Sequence, residues 1–311
     1  MTTHKPLLSE TTILFAVENL ILNICIHGIH HIPKSELVYL LTQFDKIYYA
    51  DYTYMDYINV FVALKADIDL IRYNELLNPN SENYDFVLNF SNEQWFYYNE
   101  FLKPYIGQAR NALTQFSIHK QANHKNLEKY LKSLYEHYAR LYIVRVDLGY
   151  LKESNSIGIK QFNQDFTKLR NRIANKDGCF KLVQGYAWTI EQAKDHGYHV
   201  HLLLIYNASK VSNGSYYAIE VGKMWEQIAR YYGCYFNLNS RKYINELKAR
   251  KCLIGLGLLS RNNKGDWGKL LTVAKYLAEP TKEQQRLRVK LKGMNCFSTG
   301  QFRTKSRRGI D

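Results

Sequence analysis

Two histidines separated by one apolar residue, His199-Val200-His201, are the residues of this chain best suited to metal chemistry. Residues 197–206 alternate in the manner of a β-strand, and alternate residues of a strand share a face. The two imidazoles are therefore expected on one face, about 7 Å apart along the strand, where they can bind one divalent cation. A pair of half-exposed strand histidines with no ligand is the simpler interpretation of the triplet alone.

A carboxylate from the preceding strand adds a third candidate ligand. Residues 185–197 have the pattern of a strand followed by a turn, which predicts a hairpin. In that hairpin Glu191 lies opposite His199 and Thr189 lies opposite His201, and directly opposed residues share a face. The mixed nitrogen and oxygen set suits Mg²⁺, Mn²⁺ or Zn²⁺, with further coordination positions open to water and substrate.

Tyr276 is a candidate nucleophile because of its position on a predicted helix. Apolar residues at helical spacing from Leu270 to Leu277 form a core-facing stripe, and Tyr276 lies about a third of a turn from it, ahead of Pro280. A phenol with an ordinary pKa of about 10 needs a nearby cation or a polarised phosphate to attack. Taken alone, this residue is one of 26 tyrosines and could be an ordinary surface side chain.

The elements that must position these residues alternate between strands and helices. In chain order, the patterns predict a strand at 141–150, a helix at 159–174, strands at 185–192 and 197–206, a helix at 219–232 and a strand at 234–238. This β-α-β-β-α-β order predicts an α+β fold with a ferredoxin-like antiparallel sheet.

The beginning of the chain has a different character. Residues 1–125 are expected to form a mainly helical region of unknown role, with an interruption at 78–81. Residues 122–126 are expected to be a loop or the start of a helix. Residues 126–311 are expected to form the domain that carries the histidines and ends in a basic tail.

Charge is unevenly distributed along the chain. Residues 1–100 hold five Lys and Arg against thirteen Asp and Glu, whereas the remainder holds 37 against 15. A field of this size favours a polyanionic partner, most simply nucleic acid, although a solvated basic surface with no partner gives the same composition.

Composition also indicates the cellular compartment. The five cysteines are scattered and lack CxxC spacing, which favours a reducing cytoplasm. The chain contains no run of eighteen or more apolar residues, so no membrane span is predicted. The apolar residues 13–17 lie between Glu10 and Glu18, which is not the pattern of a signal peptide. We therefore expect a cytoplasmic protein.

Three segments together resemble the HUH endonuclease superfamily, which includes rolling-circle replication initiators. They are RVDLGY at 145–150, GYHVHLLL at 197–204 and KYL at 275–277. They look most like inovirus-type (filamentous phage) gene-II replication proteins and prophage proteins with a YagK/YfjJ C-terminal domain, over about residues 138–300.

The resemblance implies a function and a site. Glu191, His199 and His201 would hold a divalent metal, Mg²⁺ or Mn²⁺, and Tyr276 would be the catalytic nucleophile. The implied activity is site-specific nicking and joining of single-stranded or hairpin DNA through a phosphotyrosyl link. This reaction would initiate rolling-circle replication of a phage, prophage or plasmid at its origin in a bacterial host, together with host helicase and polymerase.

Basic residues around these motifs are expected to hold the DNA backbone. They are Arg145, Lys275, Lys282, Arg286, Arg288, Lys290, Lys292 and Arg303, together with the basic segment 241–251. One departure stands out, because the family commonly has a lysine three or four residues after the tyrosine and this chain has Glu279 and Pro280 there.

Two other functions stay open at this point. One is a non-catalytic DNA-binding prophage protein that keeps the HUH fold, which the Glu279 and Pro280 departure favours. The other is an unrelated metal-dependent hydrolase or a metal-storage site, which would bind metal without forming a covalent DNA adduct. A second histidine cluster at 27–31 lacks a partnered carboxylate pattern and is expected to be structural.

Overall fold

A computed structural model describes four stretches of the chain: residues 8–75, 84–152, 157–277 and 283–302. The chain divides into two compact units. Unit 1 comprises 1–116, 155–159 and 287–294, and unit 2 comprises 117–154, 160–286 and 295–311. The interruption predicted at 78–81 lies outside the described residues.

Unit 1 is mainly helical, which confirms the expectation for the N-terminal region. Its helices are α1 (Glu10–His27), α2 (Lys34–Asp45), α3 (Asp56–Glu75) and the first part of α4 (Asn92–His137). A short strand, β1 (Tyr52–Tyr54), pairs antiparallel with β7 (Val289–Leu291), so a late segment of the chain belongs to this unit.

Helix α1 is a core helix of unit 1. By length and composition it could cross a membrane, but Leu14, Val17 and Leu20 on it are fully buried. The Ser9 side chain caps its first turn by accepting a hydrogen bond from the Thr12 N–H. The burial of its apolar stripe accounts for its hydropathy without a membrane.

Helix α4 runs through residues 122–126, so the expectation of a loop or a helix start there is wrong. No glycine or proline occurs from residue 108 to residue 137, and His124 pairs with Glu128 one turn on (Nδ1 to Oε1, 3.7 Å). Polar residues at this point mark the solvent face of a continuous helix, whereas Leu127, Leu131 and Leu134 are buried as their spacing predicts.

Unit 2 contains a six-stranded antiparallel sheet, which confirms the predicted α+β class. Its strands are β2 (Arg140–Tyr150), β3 (Val183–Ala193), β4 (Gly197–Asn207), β5 (Gly233–Asn237), β6 (Gly257–Ser260) and β8 (Phe297–Thr299). Their spatial order is β5-β2-β4-β3-β8, with β6 pairing beside β5 on the same edge of β2.

The two helices predicted between the strands occur in the predicted order, but the second is shifted at both ends and stops at Ile228 rather than at residue 232. Helix α5 (Ile159–Ala174) has the predicted bounds, and α7 (Arg241–Ala249) and α8 (Asp266–Leu277) follow β5 and β6. Helix α6 (Gly214–Ile228) starts before the predicted residue 219 because the Asn213 side chain caps it, accepting a hydrogen bond from the Tyr216 N–H at 3.0 Å.

The two faces of the sheet bury different elements. On one face Trp188 packs edge-on against Phe166 of α5, and Tyr198 of β4 contacts Phe162. On the other face Leu203 and Ile205 share a core cluster with leucines of α4 and α8. Since His199 and His201 alternate in step with Leu203 and Ile205, the histidines lie on that second face, beyond the end of the apolar cluster.

Candidate metal centre

The hairpin of β3 and β4 confirms the register predicted from sequence. Glu191 pairs with His199 and Thr189 pairs with His201. Residues 194–196 form the turn, and Gly197 takes a φ of +60°, a conformation that glycine adopts at no steric cost. Because directly opposed residues share a face, the carboxylate and both imidazoles come together at this end of the hairpin.

The three side chains are close enough to share one cation. Oε2 of Glu191 lies 3.1 Å from Nε2 of His201 and 3.6 Å from Nε2 of His199, and one ligand atom from each lies within 4.8 Å of the others. Glu191 and His201 are buried, and His199 is partly exposed, so the group is open from one side. Among the described residues it is the one group of three such side chains that could hold a metal ion.

Hydrogen bonds to the Nδ1 atoms orient both rings toward that position. Nδ1 of His199 lies 3.2 Å from the carbonyl oxygen of Gly197, and Nδ1 of His201 lies 2.8 Å from Oδ1 of Asp147. Nδ1 of His201 also lies 3.1 Å from Nη2 of Arg145, so Asp147 and Arg145 together orient this ring, and the Nε2 atoms of both rings face Glu191. Metal-binding histidines are commonly held in this way by a carbonyl or a carboxylate. The donor set therefore fits a divalent cation, and nitrogen and oxygen ligands of this kind do not select one metal.

Asp147 is a site residue that the sequence analysis missed. It lies on β2, directly opposite His201 on β4. Arg145, two residues earlier on the same face, donates to both of its oxygens, from Nε to Oδ1 at 3.1 Å and from Nη2 to Oδ2 at 3.0 Å. The alternation Arg-Val-Asp predicts that Arg145 and Asp147 share a face of β2. It indicates a place beside the histidines only when β2 is known to pair with β4.

The charges of this network support one another. Burial raises the pKa of Asp147, but Arg145 and His201 outweigh burial and hold that pKa below its ordinary value. Burial lowers the pKa of His201, but its hydrogen bonds to Asp147 and Glu191 outweigh that effect and raise it. A cation bound at Nε2 of His201 would take the place of the proton that Glu191 otherwise accepts.

Helix α8 brings Tyr276 to the same site. The Tyr276 ring lies 5.8 Å from the ring of His201 in an edge-on arrangement, and the Arg145 guanidinium lies over it, 3.7 Å from its centroid. Tyr276 keeps 42% of its surface exposed although its neighbours Val273 and Leu277 are buried. The predicted nucleophile and the predicted metal ligands are thus brought together, with Arg145 between the ring and Asp147.

The residues expected to bind DNA are placed very differently. Lys275 on α8 and Lys292 are exposed, Lys290 on β7 is partly exposed, and Lys282 and Arg303 lie outside the described residues. Arg145 and Arg286 are buried. Their burial argues against a primary role in gripping the DNA backbone.

The expectation that Arg288 binds DNA is wrong. Its Nη2 lies 2.5 Å from Oε2 of Glu18, and its guanidinium lies 3.4 Å from the centroid of the Phe15 ring. The arginine is 3% exposed. A basic residue in a tail-like sequence looked available to DNA, but here it forms a buried ion pair within unit 1.

The region that carries the candidate site matches a known protein family. Residues 109–293, more than half of the chain, match the family described as the YagK/YfjJ C-terminal domain. Neither the curated proteins nor the solved structures include a significant match. The matched region contains β2, the β3–β4 hairpin and α8, and hence every residue of the candidate metal centre. The chain belongs to the YagK/YfjJ C-terminal domain family.

Proposed function

We propose that this protein is a metal-dependent DNA-nicking enzyme of the HUH type, with Tyr276 as nucleophile. The observation that carries the proposal is the contact of the Tyr276 ring with His201, one of the three candidate metal ligands, at 5.8 Å between ring centroids. Tyr276 is one of 26 tyrosines, and from this ring contact we infer that its hydroxyl can reach a phosphate held at that cluster. The Arg145 guanidinium also stacks on this ring. An ordinary surface tyrosine would not need that second contact.

The fold is compatible with this assignment. Strands β5, β2, β4 and β3 lie side by side in that order, and the chain order is β2-α5-β3-β4-α6-β5. We infer that this is the ferredoxin-like arrangement expected of HUH domains. The two central strands carry Arg145 and Asp147 on β2 and the histidines on β4, and Glu191 lies on the adjoining β3.

The proposed reaction follows from the residues around the site. A divalent cation bound by Glu191, His199 and His201 would withdraw charge from the scissile phosphate. The Tyr276 oxygen attacks phosphorus, the bond to the 3′-oxygen breaks, and that oxygen takes up a proton as the phenol loses one to solvent. The products are a 5′-phosphotyrosyl link and a free 3′-hydroxyl.

Arg145 has a positioning role in this scheme. Its bidentate bond to Asp147 fixes the guanidinium, and the guanidinium in turn supports the face of the Tyr276 ring by a cation–π contact. The ring is therefore held before substrate arrives, which reduces the entropy cost of bringing the nucleophile to the phosphate.

The biological role we propose is initiation of rolling-circle replication of a phage, prophage or plasmid. The free 3′-hydroxyl can prime a polymerase, and the phosphotyrosyl link keeps the bond energy needed to rejoin the strand. The excess of 22 positive charges in residues 101–311 supports a nucleic-acid substrate. Single-stranded or hairpin DNA is favoured because an intact duplex would obstruct access to the phosphate.

A covalent-adduct assay tests the proposal. Purified protein is incubated with Mn²⁺ and labelled single-stranded oligonucleotides that tile the origin of its own genetic element, and the products are separated on a denaturing gel. We expect a metal-dependent, protease-sensitive adduct that Tyr276→Phe abolishes. DNA binding without any adduct would instead support the non-catalytic DNA-binding protein, which the Glu279 and Pro280 departure favours.

A further inference from the structure

An exposed aromatic side chain lies in the same row of the sheet as the candidate metal centre. Phe236 on β5 pairs directly with Asp147 on β2, and Asp147 pairs directly with His201 on β4. The three residues therefore share one face, and Phe236 is two strand spacings from His201, about 10 Å. Strand β5 is at the edge of this row, where Phe236 keeps 53% of its surface exposed.

A tyrosine of α7 extends this aromatic surface toward the site. The ring of Tyr243 meets the ring of Phe236 edge-on, with centroids 5.3 Å apart and planes at 89°. Burial raises the pKa of Tyr243, and Arg145 and Tyr276 lie close enough to act on it electrostatically. Phe236 and Tyr243 thus form an aromatic pair, exposed on the Phe236 side, that adjoins the proposed nucleophile.

Helix α7 surrounds this pair with positive charge. The Ser240 side chain caps the helix, none of its residues is buried, and Glu246 is its one acidic residue. Exposed cations occur on the helix and directly after it: Arg241, Lys242, Lys248, Arg250 and Lys251. A patch that combines exposed rings with cations matches the surfaces that bind single-stranded nucleic acid, in which bases stack on rings and cations follow the backbone.

We propose that Phe236 and Tyr243 form a stacking site for an unpaired DNA base next to the scissile phosphate, with the cations of α7 holding the adjoining backbone. This inference rests on the proposed function, because it names how the same site would hold its substrate. A duplex keeps its bases stacked on one another, so the site selects a single strand. Stacking on a ring tolerates all four bases, and origin selection then depends on other contacts.

Binding of a simple oligonucleotide tests the stacking site without requiring catalysis. The probe is a fluorescent twelve-residue oligothymidine, and its Kd is measured by anisotropy in the absence of metal for the wild type and for Phe236→Ala, Phe236→Leu and Phe236→Trp. Loss of one stacked base weakens binding about 5-fold or more, so Ala and Leu should both show that loss, whereas Trp should retain wild-type affinity. Retention by Trp also shows that position 236 tolerates substitution without loss of the fold.

Tyr216 on α6 provides a matched control. It is also 53% exposed and meets the Tyr217 ring edge-on at 5.4 Å, but it lies on a different helix from the cations of α7. Tyr216→Ala should leave the Kd within 2-fold of wild type. Equal losses in Tyr216→Ala and Phe236→Ala would overturn the proposal, as would a wild-type Kd in Phe236→Ala and Phe236→Leu.

Two further outcomes separate this inference from the proposed nicking activity. Wild-type protein that fails to bind oligothymidine, or that prefers the duplex, overturns the stacking site even when an origin oligonucleotide forms an adduct. Binding that depends on Phe236 without any adduct in Mn²⁺ supports the stacking site and contradicts nicking.

Discussion

Replacing Asp147 by asparagine should weaken metal binding although Asp147 is not itself a candidate ligand. The carboxylate takes three hydrogen bonds, from Nδ1 of His201 at 2.8 Å and from Nε and Nη2 of Arg145 at 3.1 and 3.0 Å. Asparagine has one acceptor oxygen and no charge, so it can satisfy only part of this network. His201 then loses the partner that directs its Nε2 at the cation.

The magnitude follows from the strength of these bonds. A charge-assisted hydrogen bond contributes about 1.5–3 kcal/mol, and loss of a carboxylate behind a metal-binding histidine costs about 10-fold to 100-fold in affinity, or about 1.4–2.7 kcal/mol. Because these two ranges of free energy overlap, weakening the hydrogen bond from His201 to Asp147 is enough to explain the expected loss of metal affinity. We therefore expect Asp147→Asn to weaken Mn²⁺ binding about 10-fold to 100-fold.

Titration calorimetry of the metal-free protein with Mn²⁺ measures this change. Asp165→Asn is the control, because Asp165 is a more deeply buried acid of unit 2, on α5 and away from the candidate metal ligands, whose carboxylate accepts a hydrogen bond from the Tyr150 hydroxyl. Its substitution should alter stability but leave the Mn²⁺ affinity within 2-fold. An unchanged affinity in Asp147→Asn, or an equal loss in both variants, would refute the role given to Asp147.

Four other substitutions test separate features of the structure. His199→Ala and His201→Ala should each remove Mn²⁺-dependent cleavage while the Kd for single-stranded DNA stays within a few-fold, and equal cleavage by either variant and wild type would contradict the metal assignment. Arg145→Lys keeps a charge but loses the bidentate bond and the ring stacking, so the rate of adduct formation should fall at least about 10-fold with little change in DNA affinity; an unchanged rate would remove Arg145 from its positioning role. Glu18→Ala leaves the Arg288 guanidinium buried without its carboxylate, which should lower the free energy of unfolding by about 3–5 kcal/mol in urea denaturation. A loss below about 1 kcal/mol there would show that the pair is solvated.

The metal ligands could be predicted from sequence because local rules determine them. Alternation along a strand sets which face His199 and His201 share, and the length of the turn before Gly197 sets the register that brings Glu191 opposite His199. Both features depend on fewer than twenty consecutive residues. The same holds for α5, whose apolar spacing alone gave its bounds.

The remaining parts of the site depend on contacts between distant segments. Asp147 reaches His201 only because β2 pairs with β4, more than fifty residues away in the chain. Tyr276 reaches the same place because the apolar stripe of α8 packs against the sheet, which fixes the rotation of that helix. Arg288 looked like part of a basic tail because its sequence neighbours are basic, and its burial against Glu18 reflects a pairing across 270 residues.

The most direct test of the central claim identifies the residue that becomes linked to DNA. Protein is incubated with Mn²⁺ and an origin oligonucleotide, the mixture is digested with nuclease and protease, and the nucleotide-bearing peptide is sequenced by mass spectrometry. We predict a nucleotide joined through its 5′-phosphate to Tyr276, on the helix that contacts His201 and Arg145. A nucleotide on another tyrosine, or DNA cleavage with no linked peptide, would contradict it.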